Sequence, residues 1–155
     1  MRQFGIASKA WILSVVMISF LGAGQATSAD AAVIKVRVTG ITDLQGTIRA
    51  TLDGSDDMFK NKVTSPLTSE IAVTASEHEL VFTDVPPGIY AIKVIHDENN
   101  DQKLNQNILG IPSEKYGISN NIKGKFGLPD FKDASFQVTE GETVLSIAIG
   151  NHSFF

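Results

Sequence analysis

After about residue 30, apolar residues recur at every second position through most of the chain, and a period of two predicts β-strands rather than helices. Val33 to Val38 places Ile34, Val36 and Val38 on one face and Lys35 and Arg37 on the other. Gly46 to Asp53 repeats the pattern, with Ile48, Ala50 and Leu52 inward. Ser69 to Ala75 aligns Ile71, Val73 and Ala75, and Glu79 to Phe82 supplies Leu80 and Phe82. The intervening Ser76-Glu77-His78 turn predicts that these two strands form a hairpin. The Asp84-Val85-Pro86-Pro87-Gly88 turn leads into a fifth strand, Ile89 to Ile95, in which Tyr90, Ile92 and Val94 share a face. His96 has the same parity, so its ring starts on the core side. Phe136 to Val138 and Thr143 to Gly150 are the sixth and seventh strands, with Leu145, Ile147 and Ile149 inward. In the polar stretch from Asp53 to Pro66, Met58 and Phe59 read as one helical turn capping an end of the fold.

Between Asp97 and Asp133 the alternation stops, and a connection of that length inside a compact domain must be held by something specific or remain disordered. Leu104, Ile108, Leu109, Ile111, Tyr116, Ile118, Phe126, Leu128 and Phe131 are too many apolar residues for a solvated linker, so an ordered loop is expected. About seven short strands, turns at short intervals and no amphipathic helix indicate an all-β fold, an antiparallel β-sandwich with one long ordered loop. A closed barrel is the alternative.

The first residues add a compartment. Arg2 and Lys9 precede an apolar run from Trp11 to Ala23, followed by small residues around Ala26 and Ala29. Those three features predict a cleaved signal peptide over residues 1–29 and a single domain over residues 30–155, exported to the periplasm or beyond the cell. Ser14, Ser19, Gly22 and Gly24 interrupt the run, which argues against an uncleaved anchor or stable membrane insertion. Cleavage removes two basic residues and takes the formal net charge from −4 to −6, a poor balance for binding nucleic acid or anionic lipid. Cysteine is absent, so packing, backbone pairing or an ion must supply the stability.

The stretch PPGIYAIKVIHDENND, followed by LGIPSEKYGISNN, resembles a family of exported bacterial proteins known as domain of unknown function 2141 (DUF2141). That family carries a Pro-Gly-x-Tyr-Ala strand, a His-Asp-x-Asn-x-Asn-Gly loop and later Gly-Ile-Pro and Gly-Phe-Ser-Asn-Asn. The resemblance spans Val33 to the end of the chain. It implies a prealbumin-like or immunoglobulin-like sandwich and brings no activity with it. Two departures matter: Asp101 and Gln102 stand where the family has Asn-Gly, and Asn105 where an acid closes the loop. Loss of the glycine removes the residue best suited to positive φ.

Within His96 to Asn107, Asp97, Asn99 and Asp101 match positions one, three and five of a calcium loop. Lys103 supplies a backbone carbonyl at seven and Asn105 a side chain at nine, with Glu114 or a carbonyl near Leu109 to complete the shell. Ile108 at twelve and the missing glycine at six exclude an EF-hand. The competing reading is an Asx-rich turn whose side chains bond their own backbone. His96 beside Asp97 suggests a periplasmic hydrolase, but adjacent strand residues face opposite ways and no nucleophile elbow is present, so His96 is read as a hydrogen-bond donor pinning the long loop. His78 and His152 lack zinc-ligand spacing. Gly110 to Asn121 reads as self-packing, with Ile111, Tyr116 and Ile118 buried and Ser119, Asn120 and Asn121 capping backbone ends; a recognition surface is the alternative. The functional expectation is a non-enzymatic module for binding a protein or carbohydrate at the cell envelope, with calcium at the loop. A carrier holding a small ligand between its sheets is a further alternative, one that predicts an interior cavity.

Overall fold

A computed structural model describes residues 31–123 and 127–151. The predicted signal peptide, Phe126, and the terminal Phe154 and Phe155, expected to cover an end of the sandwich, lie outside the described residues. Among those described, eight strands form two sheets. One sheet has the order β4-β1-β8, built from β1 (Ala32–Thr39), β4 (His78–Val85) and β8 (Glu142–Ala148). The other has the order β3-β2-β5-β6, from β2 (Thr47–Asp53), β3 (Leu67–Ala72), β5 (Gly88–Asp97) and β6 (Tyr116–Ile118). The remaining strand, β7 (Phe136–Val138), also pairs with β5.

The alternating residues meet between the sheets as the sequence indicates. Ile34, Val36 and Val38 of β1 are fully buried against Ile48, Ala50 and Leu52 of β2 and Ile92 and Val94 of β5, with Leu80, Phe82, Ile147 and Ile149 completing the layer. Side chains from both sheets meet in this space, where the carrier reading expects a cavity.

Three features depart from the sequence reading. β3 and β4 are not a hairpin: β3 pairs with β2 and β4 with β1, so the connection between them crosses from one sheet to the other. The inward positions of β3 are Leu67, Ser69 and Ile71, continued by buried Val73, while Ala75 is exposed. Turn residues alone do not distinguish a hairpin from a corner. Second, the long segment contributes a strand of its own, β6. Third, the sandwich is not purely antiparallel: β8 runs parallel to β1, in register from Val33 opposite Glu142 to Thr39 opposite Ala148.

The remaining apolar residues cover the opposite face of β5. Ala91 and Ile95 point away from the main core, where Phe59, Tyr116, Ile118 and Ala134 bury against them, joined by Leu104, Ile122 and Phe131. Phe59 sits on α1 (Asp56–Phe59), a single turn whose first residues are capped by the Ser55 hydroxyl, which accepts from the Met58 N–H at 3.3 Å. Its ring meets Phe131 of α2 (Phe131–Ala134) edge to face. Among the described residues of the segment the expectation of order is met, although Ile108, Leu109 and Leu128 are not among its plugs and are exposed.

Backbone capping by the Ser119-Asn120-Asn121 turn holds this layer in place. The Ser119 hydroxyl accepts from the Ile92 N–H at 2.9 Å and donates to the Ala134 carbonyl at 2.6 Å. Asn120 donates to the carbonyls of Asp133 and Ser135. Asn121 donates to the Ser146 carbonyl and accepts from the Ala148 N–H, while Tyr116 and Gly150 exchange backbone hydrogen bonds, so one side of the sandwich is laced to β8. That approach requires glycine at 117: a Cβ there would lie 2.7 Å from Ile147 Cγ2 and 2.9 Å from the Ala148 carbonyl oxygen.

Candidate functional site

β5 ends by sending His96 and Asp97 to opposite faces, both fully buried. The His96 ring enters the core side, where Nε2 donates to the Gln45 carbonyl at 2.8 Å. A carbonyl only accepts, so the proton belongs on Nε2. The ring thus secures the β1–β2 connection rather than the long loop; the backbone N–H of His96 does the latter, donating to the Lys115 carbonyl at 2.8 Å.

Asp97 closes the loop that follows. Its Oδ1 accepts the Asp101 N–H at 3.1 Å, and its Oδ2 accepts the Gln102 N–H at 2.9 Å and Arg49 Nε at 2.8 Å. Arg49 also pairs with Glu70 on the neighbouring strand. Glu114, nearly buried, works from the other side: one oxygen accepts the Glu98 N–H at 3.0 Å and the other the Asn105 N–H at 2.9 Å. Two carboxylates therefore bind four backbone N–H groups of one loop.

The remaining loop side chains gather at the surface. Asn99 Nδ2 donates to Asp101 Oδ2 and to Asn105 Oδ1, Asn105 Nδ2 donates to Asp101 Oδ2 at 2.9 Å, and the Lys103 N–H donates to Asp101 Oδ1 at 2.9 Å. The hydrogen bond from Asn105, with help from the Lys103 N–H and Asn99, holds the Asp101 carboxyl below its ordinary value of 3.8. Of the residues expected to share a cation, Asn99, Asp101 and Asn105 join through their side chains, Asp97 borders them with Oδ1 on the Asp101 N–H while its Oδ2 meets Arg49, and the Lys103 N–H donates to Asp101. Nor do His96, Asp97, Asp101 and Glu114 surround a shared cleft, as a hydrolase would need. Gln102 adopts φ +66° and Asn100 φ +60°, the left-handed region that favours glycine.

An open cleft lies elsewhere, on the outer face of the β3-β2-β5-β6 sheet. A cleft of about 750 Å³ has Thr51, Thr68 and Ile95 in its floor, Leu104 and Ile118 at its apolar end, and Leu128 at its rim. Lys93 also lines it, but its ammonium is caged by Phe59 O at 2.8 Å, Asn61 Oδ1 at 2.6 Å and buried Asp53 at 3.2 Å. Burial pulls the Lys93 pKa down, against the opposing charge of Asp53. Sequence reading missed Arg49, Asp53, Lys93 and this cleft. One signal was available: Ala91 and Ile95 are apolar at outward positions of β5, which marks a strand covered on both faces. Cross-strand pairs such as Arg49–Asp97, 48 residues apart, leave no such trace.

These features define an all-β, two-sheet sandwich with an external cleft and a loop locked by carboxylates. The chain belongs to the uncharacterised bacterial family DUF2141, whose model matches residues 36–146. No curated protein and no solved structure matches it.

Replacing Arg49 by Met leaves the buried Asp97 charge without its partner. Chemical denaturation is expected to show a loss of about 2–4 kcal/mol, less than for a fully enclosed pair because Arg49 is partly exposed. Gln102→Gly relieves the left-handed backbone and is expected to raise stability by up to about 1 kcal/mol, after the greater unfolded-state entropy of glycine is counted. A lower melting temperature for Gln102→Gly would show that its side chain matters more than its φ.

Proposed function

We propose that this protein is an exported, non-enzymatic interaction module, and that its binding site is the cleft on the outer face of β5. The observation that carries the reading is the composition of that cleft: an apolar end of Leu104, Ile118 and Leu128 beside hydroxyls of Thr51 and Thr68, at a volume usual for ligand sites. Most of its charges are already paired, Arg49 with Asp97 and Glu70, and Lys93 with Asp53, which favours an uncharged occupant, although Lys103 also lines it without a salt bridge. Tyr116, the aromatic residue in its lining, is buried to within 6% and offers little face for stacking a sugar. An aliphatic segment of another polypeptide fits these properties better than a carbohydrate does.

The loop from Asp97 to Asn105 is, in this reading, a structural clamp that folds without a metal. The carboxylate oxygens of Asp97 and Glu114 are taken up by backbone N–H groups and Arg49, which leaves Asp101 as the one acid of the surface trio. Export rests on the leader-like residues 1–29.

Calcium at millimolar concentration is expected to leave the melting temperature of chelator-treated protein unchanged and to produce no heat on titration. A rise of several degrees that disappears in Asp101→Ala would establish a calcium site instead. Nile red, an uncharged apolar dye, should brighten on the native protein, and Thr68→Arg, a change at an exposed floor residue, should remove most of that signal. Undiminished fluorescence in the variant would place the dye elsewhere and remove the support for the cleft. N-terminal sequencing of the exported protein should begin at Asp30; recovery with Met1 intact would refute cleavage.

A further inference from the structure

Two exposed aliphatic residues have no role in the sandwich. Ile108 and Leu109 are 101% and 76% exposed, at the tip of a small hairpin in which Gln106 bridges to Pro112 and the Ser113 N–H donates to the Asn105 carbonyl. This tip is held firmly. Asn107 Oδ1 accepts the N–H groups of Leu109 and Ile111, the Asn107 N–H donates to the Ile111 carbonyl, and Gly110 turns the chain at φ +74°. Displaying branched aliphatic side chains on a turn with this many bonds exposes apolar surface while leaving little ordering entropy to be lost on docking.

We propose that the occupant of the cleft is the Ile108–Leu109 tip of a second copy of this chain, exchanged reciprocally in a two-fold dimer. The inference rests on the reading of the cleft as a binding site and assigns its partner. Polarity supports it: Leu104 to Pro112 contains no ionisable side chain, and of the charged side chains lining the cleft only Lys103 lacks a salt bridge. Continuity supports it as well. Gln102, Leu104 and Gln106 form one wall of the cleft, and the same hairpin carries the tip, so donor and acceptor surfaces adjoin. Adjoining surfaces allow each copy to give and receive across one two-fold axis, which closes the assembly at two rather than extending it into a chain. A lipid surface is the less suitable partner, because a domain of net charge −6 is repelled by anionic headgroups.

Sedimentation velocity over a concentration series tests the proposal, with residues 30–155 of the native protein, Ile108→Ser/Leu109→Ser and Thr68→Arg compared. All three changed positions are exposed, and circular dichroism checks that each variant is folded. The native protein should form a dimer as concentration rises, and either variant should weaken that dimer at least tenfold. Because the second copy's tip fills the cleft in the dimer, Nile red brightening per chain should fall as the native protein dimerises, whereas the tip variant, a monomer, should keep its signal throughout. A native protein that stays monomeric yet brightens Nile red overturns the self-docking and leaves the cleft reading intact, whereas loss of both removes both. A dimer indifferent to the two variants, or tip-dependent binding to phosphatidylglycerol vesicles by a persistent monomer, also overturns the proposal.

Discussion

Asp97 has no exposed side-chain surface, and a carboxylate in that position is tolerable only because Arg49 reaches it from the adjacent strand and two backbone N–H groups point at its oxygens. Much of the neighbouring structure depends on this arrangement. Arg49 lies across from Ile95 in the β2–β5 ladder, so the ion pair spans the two central strands near the point where β5 stops. From there Asp97 bends the chain back on itself as far as Asn105, whose N–H is taken by Glu114 on the returning chain. The hairpin with the aliphatic tip and the strand β6 both emerge from the segment so positioned.

The second constraint is that β5 is buried on both faces. An antiparallel sheet can leave one side to water, but here Phe59, Tyr116, Ile118 and Ala134 cover the outer side of the strand. This outer layer stops short of β3, and the uncovered remainder is the cleft. The cleft is thus a consequence of partial cover: its apolar end is the exposed margin of the second core, and its hydroxyl-lined floor is the ordinary solvent face of the sheet. Lys93 sits at the boundary, its ammonium spent on the carbonyls at the end of α1 rather than offered to a ligand.

How much of this was legible depended on the range of the interaction. Parity along a strand is local, and the inward residues of β1, β2, β5 and β8 could be read directly from alternation. So could the capping by Ser119, Asn120 and Asn121, from their residue types, while the αL backbone at Gln102 follows only from the family resemblance, which implies a glycine there. Partnership between strands is not local. Ser76 to His78 has the composition of a tight turn, yet whether it closes a hairpin or turns a corner depends on which strands β1 and β2 recruit. The acidic loop shows the same limit: the spacing of Asp97, Asn99 and Asp101 is legible, but the arrival of Arg49 at one oxygen of Asp97, from a strand 48 residues away, is not.

The parallel pairing of β1 with β8 joins the first and last strands of the described domain over seven residue pairs. Because the two strands point the same way, the start of β1 and the end of β8 lie at opposite ends of the ladder. Tension applied through those two points would load its hydrogen bonds in shear, all together, whereas the antiparallel ladders elsewhere would open bond by bond if peeled from an end. A module pulled between two anchored neighbours would therefore present its most resistant seam to the load.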